Sequence, residues 1–279
     1  MTALIGVPLI LMLLLGAGVE GVAFLAWGIS MGMLFEYSKM YFTLEDAFLK
    51  TALLLVFNTV VHGLNYWLTV GLNNGFLGLG PFLLFFVSFL FLVPRLLHYG
   101  GKEALNSELG ESLLRRHVQE LMAMMLGWIY AGWIPLLMVS IRTTSSGKFW
   151  LVLALLMVWA CDTFAYFAGR FFGKRLLFET ISPKKTWEGL IGGFLGAVIV
   201  ALIFAHRFLP NESAFEITVL ALGISVASAL GDLCESMLKR AAQVKDSSNL
   251  LPGHGGFLDR FDGVIFALPV MYAFLWLFF

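Results

Sequence analysis

Charge is scarce in this chain. Only 13% of its 279 residues are Asp, Glu, Lys or Arg, about half the share of an ordinary soluble domain. That shortage excludes a water-soluble globule, and the 27 Phe, 8 Trp and 7 Tyr exclude a disordered chain. No sign of charge is in excess, since 18 basic residues face 18 acidic ones. Nothing in bulk therefore draws the chain to nucleic acid. Cysteine is nearly missing: Cys161 and Cys234 sit in or beside apolar runs, and neither has a CxxC neighbour. A disulfide or a thiolate metal site has no support. The opening Met1-Thr-Ala-Leu-Ile lacks a basic n-region, so a cleaved signal peptide is not expected. No internal repeat is visible either, and an inverted-repeat transporter gains nothing from the sequence.

What the chain has is apolar length. Its residues are 59% hydrophobic, and a membrane-crossing helix needs about 20 of them in a row. Breaks in the apolar pattern divide the chain into candidate spans at 3–18, 21–36, 48–71, 79–94, 119–140, 149–168, 189–206, 217–237 and 263–279. The expected fold class is all-α: a polytopic integral membrane protein of about nine transmembrane helices, with a polar cytoplasm-facing cleft. The first two spans are short and parted only by Gly18-Val-Glu20-Gly21, as in a tight hairpin or a re-entrant pair. Fifteen of the 18 Lys and Arg residues fall in or at the edge of the loops after the even-numbered spans. The positive-inside rule puts those loops, and the N-terminus, in the cytoplasm and the C-terminus outside. Two regions follow: 1–118, with spans 1–4 and a basic cytoplasmic loop, and 119–279, with spans 5–9.

Ionisable residues interrupt the apolar pattern at three places, all at the expected cytoplasmic ends of late spans. In the first, Asp162, Tyr166 and Arg170 recur every four residues and share a helix face. A carboxylate at that depth costs roughly 2.5–3.5 kcal/mol unless it faces a partner or water. It either pairs structurally with a helix-end cation or serves a site. The second is Ser182-Pro-Lys184-Lys185-Thr186-Trp-Glu188-Gly189. It reads as a loop entering a helix, with Ser182 or Thr186 as N-cap. Two lysines beside free backbone amides suit a phosphate; they equally suit an anchor to lipid headgroups.

The third place is the most specific. Asp232, Glu235, Ser236 and Lys239 fall on one helix face, and Asp259 and Asp262 share another. Two carboxylate pairs on adjacent helix ends suit one hard cation. Mg²⁺ takes one or two carboxylates plus phosphate oxygens and water. Between them, Pro252-Gly-His254-Gly255-Gly256 is a loop whose backbone can approach a phosphate closely. Lys239, Arg240, Lys245 and Arg260 surround the acids with positive charge. His254 suits either orienting a phosphate or carboxylate, or structural hydrogen bonding.

These residues carry a resemblance. Ser236-x-Leu-Lys239-Arg240-x4-Lys245-Asp246, then Pro252-Gly-His-Gly-Gly256-x-x-Asp259-Arg260-x-Asp262, resembles the signature of the phosphatidate cytidylyltransferase (CDP-diglyceride synthase) family. Asp162-Thr-Phe-Ala-Tyr166 and Ser182-Pro-Lys-Lys-x-Trp-Glu188-Gly189 resemble it too, and so does the hydrophobic plan over nearly the whole chain. One departure is the start, which opens directly into apolar sequence where the family often has a basic residue.

The resemblance implies an enzyme of phospholipid synthesis in the cell (inner) membrane. Its reaction converts CTP and phosphatidic acid to CDP-diacylglycerol and pyrophosphate, with Mg²⁺ as cofactor and room for a second cation in a two-metal site. The implied partners are those two substrates and the lipid bilayer, with no nucleic acid. The implied catalytic set is Asp232, Asp259, Asp262, Lys239, Arg240 and His254. Metal ligands would come from Asp232, Asp259, Asp262, Glu235 and Asp162. Substrate contacts would come from Ser182, Lys184, Lys185, Thr186, Glu188, Ser236, Lys245, Asp246, Gly255, Gly256 and Arg260. Gly189, Gly192, Gly193 and Gly196 predict close packing of span 7, within one subunit or in a homodimer. Two competing readings are a CTP-dependent polyprenol or lipid kinase, which would release CDP rather than pyrophosphate, and, more remotely, a transporter.

Overall fold

A computed structural model of the chain describes residues 2–42, 47–71, 108–178, 182–248, 250 and 255–278. Helix α1 (Thr2–Gly16) turns at Ala17–Gly18 into α2 (Val19–Tyr41), and α3 (Ala47–Gly71) follows. Helix α4 (Glu108–Gly127) runs on through a π-helical turn (Trp128–Trp133) and a 3₁₀ turn (Ile134–Leu136) into α5 (Leu137–Thr143). Next comes α6 (Gly147–Phe172), then strands β1 (Leu176–Phe178) and β2 (Ser182–Thr186), then α7 (Trp187–Phe208), α8 (Ala214–Ala241) and α9 (Leu258–Phe278).

Seven helical stretches among the described residues are long and apolar enough to cross a membrane: Val19–Tyr41, Ala47–Gly71, Val118–Thr143, Gly147–Phe172, Trp187–Phe208, Ala214–Ala241 and Leu258–Phe278. The chain is a multi-pass membrane protein; seven spans stand among the described residues, where nine were expected over the whole sequence. The first expected span forms a helix of only 15 residues, short of the membrane's need. The expected span at 79–94 lies outside the described residues. Large apolar side chains such as Phe171, Ile203 and Trp276 face outward, which suits lipid and not water.

Among the described residues the fold is all-α apart from the segment before α7, expected as a loop entering a helix, which forms a short two-stranded ribbon. β1 and β2 pair antiparallel, Leu176 opposite Thr186 and Phe178 opposite Ser182. Thr186 ends the ribbon and caps α7, its Oγ1 accepting from the Gly189 amide at 3.1 Å. Glu188 in the first turn accepts from the Lys174 and Arg175 amides at 3.1 and 3.3 Å. It thus ties the ribbon's start to its end and favours the helix dipole.

The glycine stripe of α7 packs within the subunit, against α6. A Cβ on Gly193 would meet the Cys161 carbonyl at 2.7 Å, and one on Gly196 would fall onto the Phe164 ring. α8 and α9 approach as closely: a Cβ on Gly231 would strike the Asp262 carbonyl, and one on Gly263 would lie 2.6 Å from Ser228 Oγ.

The core follows from these contacts. Trp128, Trp150, Tyr37, Met33, Leu153 and Met157 are fully enclosed among α2, the π-helical turn and α6. The Gly132 carbonyl of that turn accepts from Ser30 Oγ at 3.4 Å and lies 3.1 Å from His62 Nε2. The result is a bundle in which the C-terminal ends of α2, α6 and α8 meet the N-terminal ends of α7 and α9 on one side.

Candidate active site

A cavity of about 460 Å³ opens between the C-terminal part of α6, the β-ribbon, the start of α7 and α8. Cys161, Ala165, Leu190 and Ala229 supply an apolar wall, and Asp162, Arg170, Lys184, Lys185 and Asp232 supply charge. The helical spacing of the first motif holds: Arg170 Nη1 donates to Tyr166 Oη at 2.9 Å, and both line the cavity with Asp162. β2 projects Lys185 across the cavity, its Nζ 2.5 Å from Oδ2 of Asp232 on α8. The carboxylates of Asp162, Asp232 and Asp262 are near enough to repel one another, and Lys185 acts on both Asp162 and Asp262. Such a mixture of cations and acids can take a polyanion together with a counter-cation.

A second group lies beside it. Lys239 Nζ is 2.7 Å from Glu235 Oε2 and 2.7 Å from Asp259 Oδ1, bridging the end of α8 to the start of α9. Asp259 Oδ2 also accepts from Ser247 Oγ at 2.7 Å, from the Gly256 amide at 2.8 Å and from the Ser247 amide at 3.1 Å. Gly255 is left-handed at φ +76°, and a Cβ there would lie 2.8 Å from Asp259 Oδ2. A side chain at that position would be strained twice over.

The four signature carboxylates thus divide. Asp232 and Asp262 join Asp162 and Lys185, while Glu235 and Asp259 enclose Lys239. Lys184 and Lys185 reach the cavity, Thr186 is the helix cap, and Glu188 is held by the ribbon amides. Ser182 lies in β2 and Ser236 is half-buried on α8. Arg240, Lys245, Asp246 and Arg260 are exposed around the second group. His254 lies outside the described residues.

Three residues that sequence reasoning passed over belong here. Glu36 on α2 is buried against the signature loop, and Ser247 stands between it and Asp259. Tyr130, in the π-helical turn, buries a hydroxyl without a hydrogen-bond partner, within electrostatic range of Asp262, Glu235 and Asp232. A signal for Glu36 existed: it is a carboxylate inside an apolar run.

The donor set fits a hard divalent cation. It consists of carboxylate oxygens, with Asp162 and Asp232 lining the cavity and Asp262 within electrostatic range of both. Among the described residues no three acidic, His or Cys side chains already converge on one point. A Mg²⁺ ion would therefore take one or two carboxylates and complete its shell with substrate phosphate and water.

Comparison with known proteins fits this picture. The model of the cytidylyltransferase family matches residues 1–278. The chain is 46% identical over 127 residues to the phosphatidate cytidylyltransferase of Haemophilus influenzae, covering 44% of each chain. It is 42% identical over 151 residues to that of Bacillus subtilis, covering 54% of this chain and 56% of the relative. It is 44% identical over 130 residues to that of Staphylococcus aureus, covering 47% and 50%. The aligned stretch thus spans about half the length of these relatives.

Proposed function

The chain belongs to the cytidylyltransferase family, and from that premise we propose that it is a phosphatidate cytidylyltransferase, joining CTP and phosphatidic acid into CDP-diacylglycerol with release of pyrophosphate. One observation carries the reading: a cavity at the helix ends in which Lys184, Lys185 and Arg170 face Asp162 and Asp232. A soluble polyanion enters such a cavity from the aqueous side, and a lipid headgroup reaches it from the bilayer.

A phosphate oxygen of phosphatidate attacks the α-phosphorus of CTP. The bond from that phosphorus to the α,β-bridging oxygen breaks, and pyrophosphate leaves with the electron pair. Phosphatidate is already an anion near neutral pH, so no strong general base is required. Positioning and charge stabilisation do most of the work. Lys184 and Lys185 hold phosphate oxygens, and Arg170 neutralises the anion at the cavity edge. Lys239 and Arg240 balance the leaving pyrophosphate, and Asp259 keeps Lys239 in place. One or two of Asp162, Asp232 and Asp262 would hold Mg²⁺, which when bound would neutralise phosphate charge and activate the phosphorus. The basic loops argue for a cytoplasmic site and N-terminus in the cell membrane.

The test uses the chain purified in detergent, with dioleoyl phosphatidic acid, Mg²⁺ and CTP labelled at the α- or the γ-phosphate. Transfer of the α-label into the organic phase with release of pyrophosphate, abolished by EDTA, is expected. Transfer of the γ-label with release of CDP would instead make it a lipid kinase. No transfer, beside a relative that works in parallel, would defeat the reading.

A further inference from the structure

Helix α2 lies outside the region that the signature occupies, yet its C-terminal end holds that region from two directions. Glu36 is fully buried. Its Oε1 accepts from Ser248 Oγ at 2.6 Å and from the Phe257 amide at 2.9 Å. Its Oε2 accepts from the Leu258 amide at 2.9 Å and lies 3.0 Å from Ser247 Oγ, whose single proton it shares with Asp259 Oδ2 at 2.7 Å. One carboxylate therefore grips the signature loop at Ser247–Ser248 and again where it enters α9. One turn further on, Tyr41 Oη donates to the Leu238 carbonyl at 2.9 Å, next to Lys239 in the last turn of α8.

The arrangement leaves no slack. A Cβ on Gly256 would collide with Ser247 Oγ and with Glu36, and one on Gly32 would lie 3.0 Å from the Phe257 ring. The amides of Phe257 and Leu258 open α9, where a carboxylate is favoured by the unpaired N–H groups and the helix dipole. A helix that only needs capping carries a Ser, Thr, Asp or Asn at its own start. Here Gly256-Phe257 stands at that place, and the cap comes from a helix more than 200 residues earlier. A buried carboxylate is costly without such donors. The groups that face it all lie between Ser247 and Leu258, just ahead of Asp259, and Ser247 stands between Glu36 and Asp259.

We propose that Glu36 is a positioning residue for nucleotidyl transfer. It touches no substrate; it sets Ser247 and the first turn of α9, and through them Asp259 and Lys239. Tyr41 sets the facing end of α8. This inference rests on the cytidylyltransferase reading of the site.

The experiment compares the full chain with Glu36→Gln, Glu36→Asp and Tyr41→Phe in detergent. Amide hydrogen exchange of peptides spanning 256–260 is measured beside steady-state kinetics with CTP, phosphatidate and Mg²⁺. In Glu36→Gln one accepting oxygen becomes a donor facing other donors. Exchange at 256–260 should rise about tenfold or more, with peptides of α6 and α7 unchanged. The kcat should fall on the order of 100-fold, as for small displacements of a catalytic group. The KM for each substrate should stay within about threefold. Glu36→Asp, which keeps the charge, should recover part of kcat. Unchanged exchange, unchanged kcat, or a loss confined to KM would each overturn the proposal. Should Glu36→Gln not fold, Tyr41→Phe and Ser248→Ala each remove one hydroxyl, and a fall in kcat of about threefold or more is expected from each. Wild-type kcat in both would overturn it. A wild-type chain that transfers no cytidylyl group defeats the underlying reading. An active wild type with indifferent Glu36 variants defeats only the proposal.

Discussion

Lys185 and Asp232 meet across the cavity at 2.5 Å, one from a two-stranded ribbon and the other from the middle of the α8 end. Neither is fully buried, with side-chain exposures of 27% and 36%. The pair is open enough to be parted by a ligand that offers Lys185 a phosphate and Asp232 a cation. Lys185→Met should lower kcat/KM on the order of 100-fold, the loss typical of one oriented donor in a transition state. Asp232→Asn should leave the folded chain inactive at every Mg²⁺ concentration. Steady-state assays over a Mg²⁺ series check both, and wild-type turnover in Asp232→Asn would remove it from the metal set.

Lys239 is the only described cation between Glu235 and Asp259 for which both pairings are 2.7 Å. Lys239→Met should leave two neighbouring carboxylates without their cation. A destabilisation on the order of 3 kcal/mol is expected, as when one member of a largely buried ion group is deleted. Asp259→Asn should be milder in stability, because Asn still accepts from Ser247 and Gly256, but should still abolish turnover. Thermal unfolding in detergent beside the transfer assay separates the two effects. An Asp259→Asn chain that remains active would end its catalytic assignment.

Gly196→Leu should be among the most damaging changes in α7. The new side chain begins inside the Phe164 ring, and overpacking of a tight helix contact costs typically 1–3 kcal/mol. Loss of the monodisperse peak on heated size-exclusion chromatography is the expected sign. An unaltered profile would mean that α6 and α7 can separate without harm.

Thr186→Ala should cost about 1 kcal/mol, the usual value of a lost N-cap. Thr186→Ser should restore nearly all of it, since only the oxygen that accepts from Gly189 matters. Melting temperatures of the two variants decide this. Equal losses in both would assign the role to the Thr186 methyl group, which packs near Gly173.

Much of this site was legible because it is local. Asp162, Tyr166 and Arg170 share a face by spacing alone, and the structure lines one cavity with all three. Thr186 could be read as a cap from the helix that follows it. The pairing of acids with cations was less legible. Spacing puts Asp232 and Glu235 on the same broad face, but their partners are Lys185 and Lys239, and only the crossing of α8 with β2 and α9 decides which goes where. Glu36 stood out as a carboxylate inside an apolar run, but what it binds was beyond reach for a stronger reason. Its donors stand 211 to 222 residues away, and no local period records such a contact. The ribbon was missed because strands of three and five residues leave no alternation to count. The short first helix was overcounted because its composition is apolar throughout while its length is not sufficient.

The π-helical turn at Trp128–Trp133 has a consequence for how this sequence tolerates change in length. Such a turn amounts to one residue more than a regular helix would hold. Removing a single residue there would restore regular winding, leave the helix faces on either side nearly where they are, and reset only the residues of the turn itself. Tyr130 would swing away from the acids, and the Gly132 carbonyl would turn from Ser30 and His62. A one-residue deletion in this stretch is therefore a local loss: the face each later amino acid presents survives, and the groups that only the widened turn can present do not.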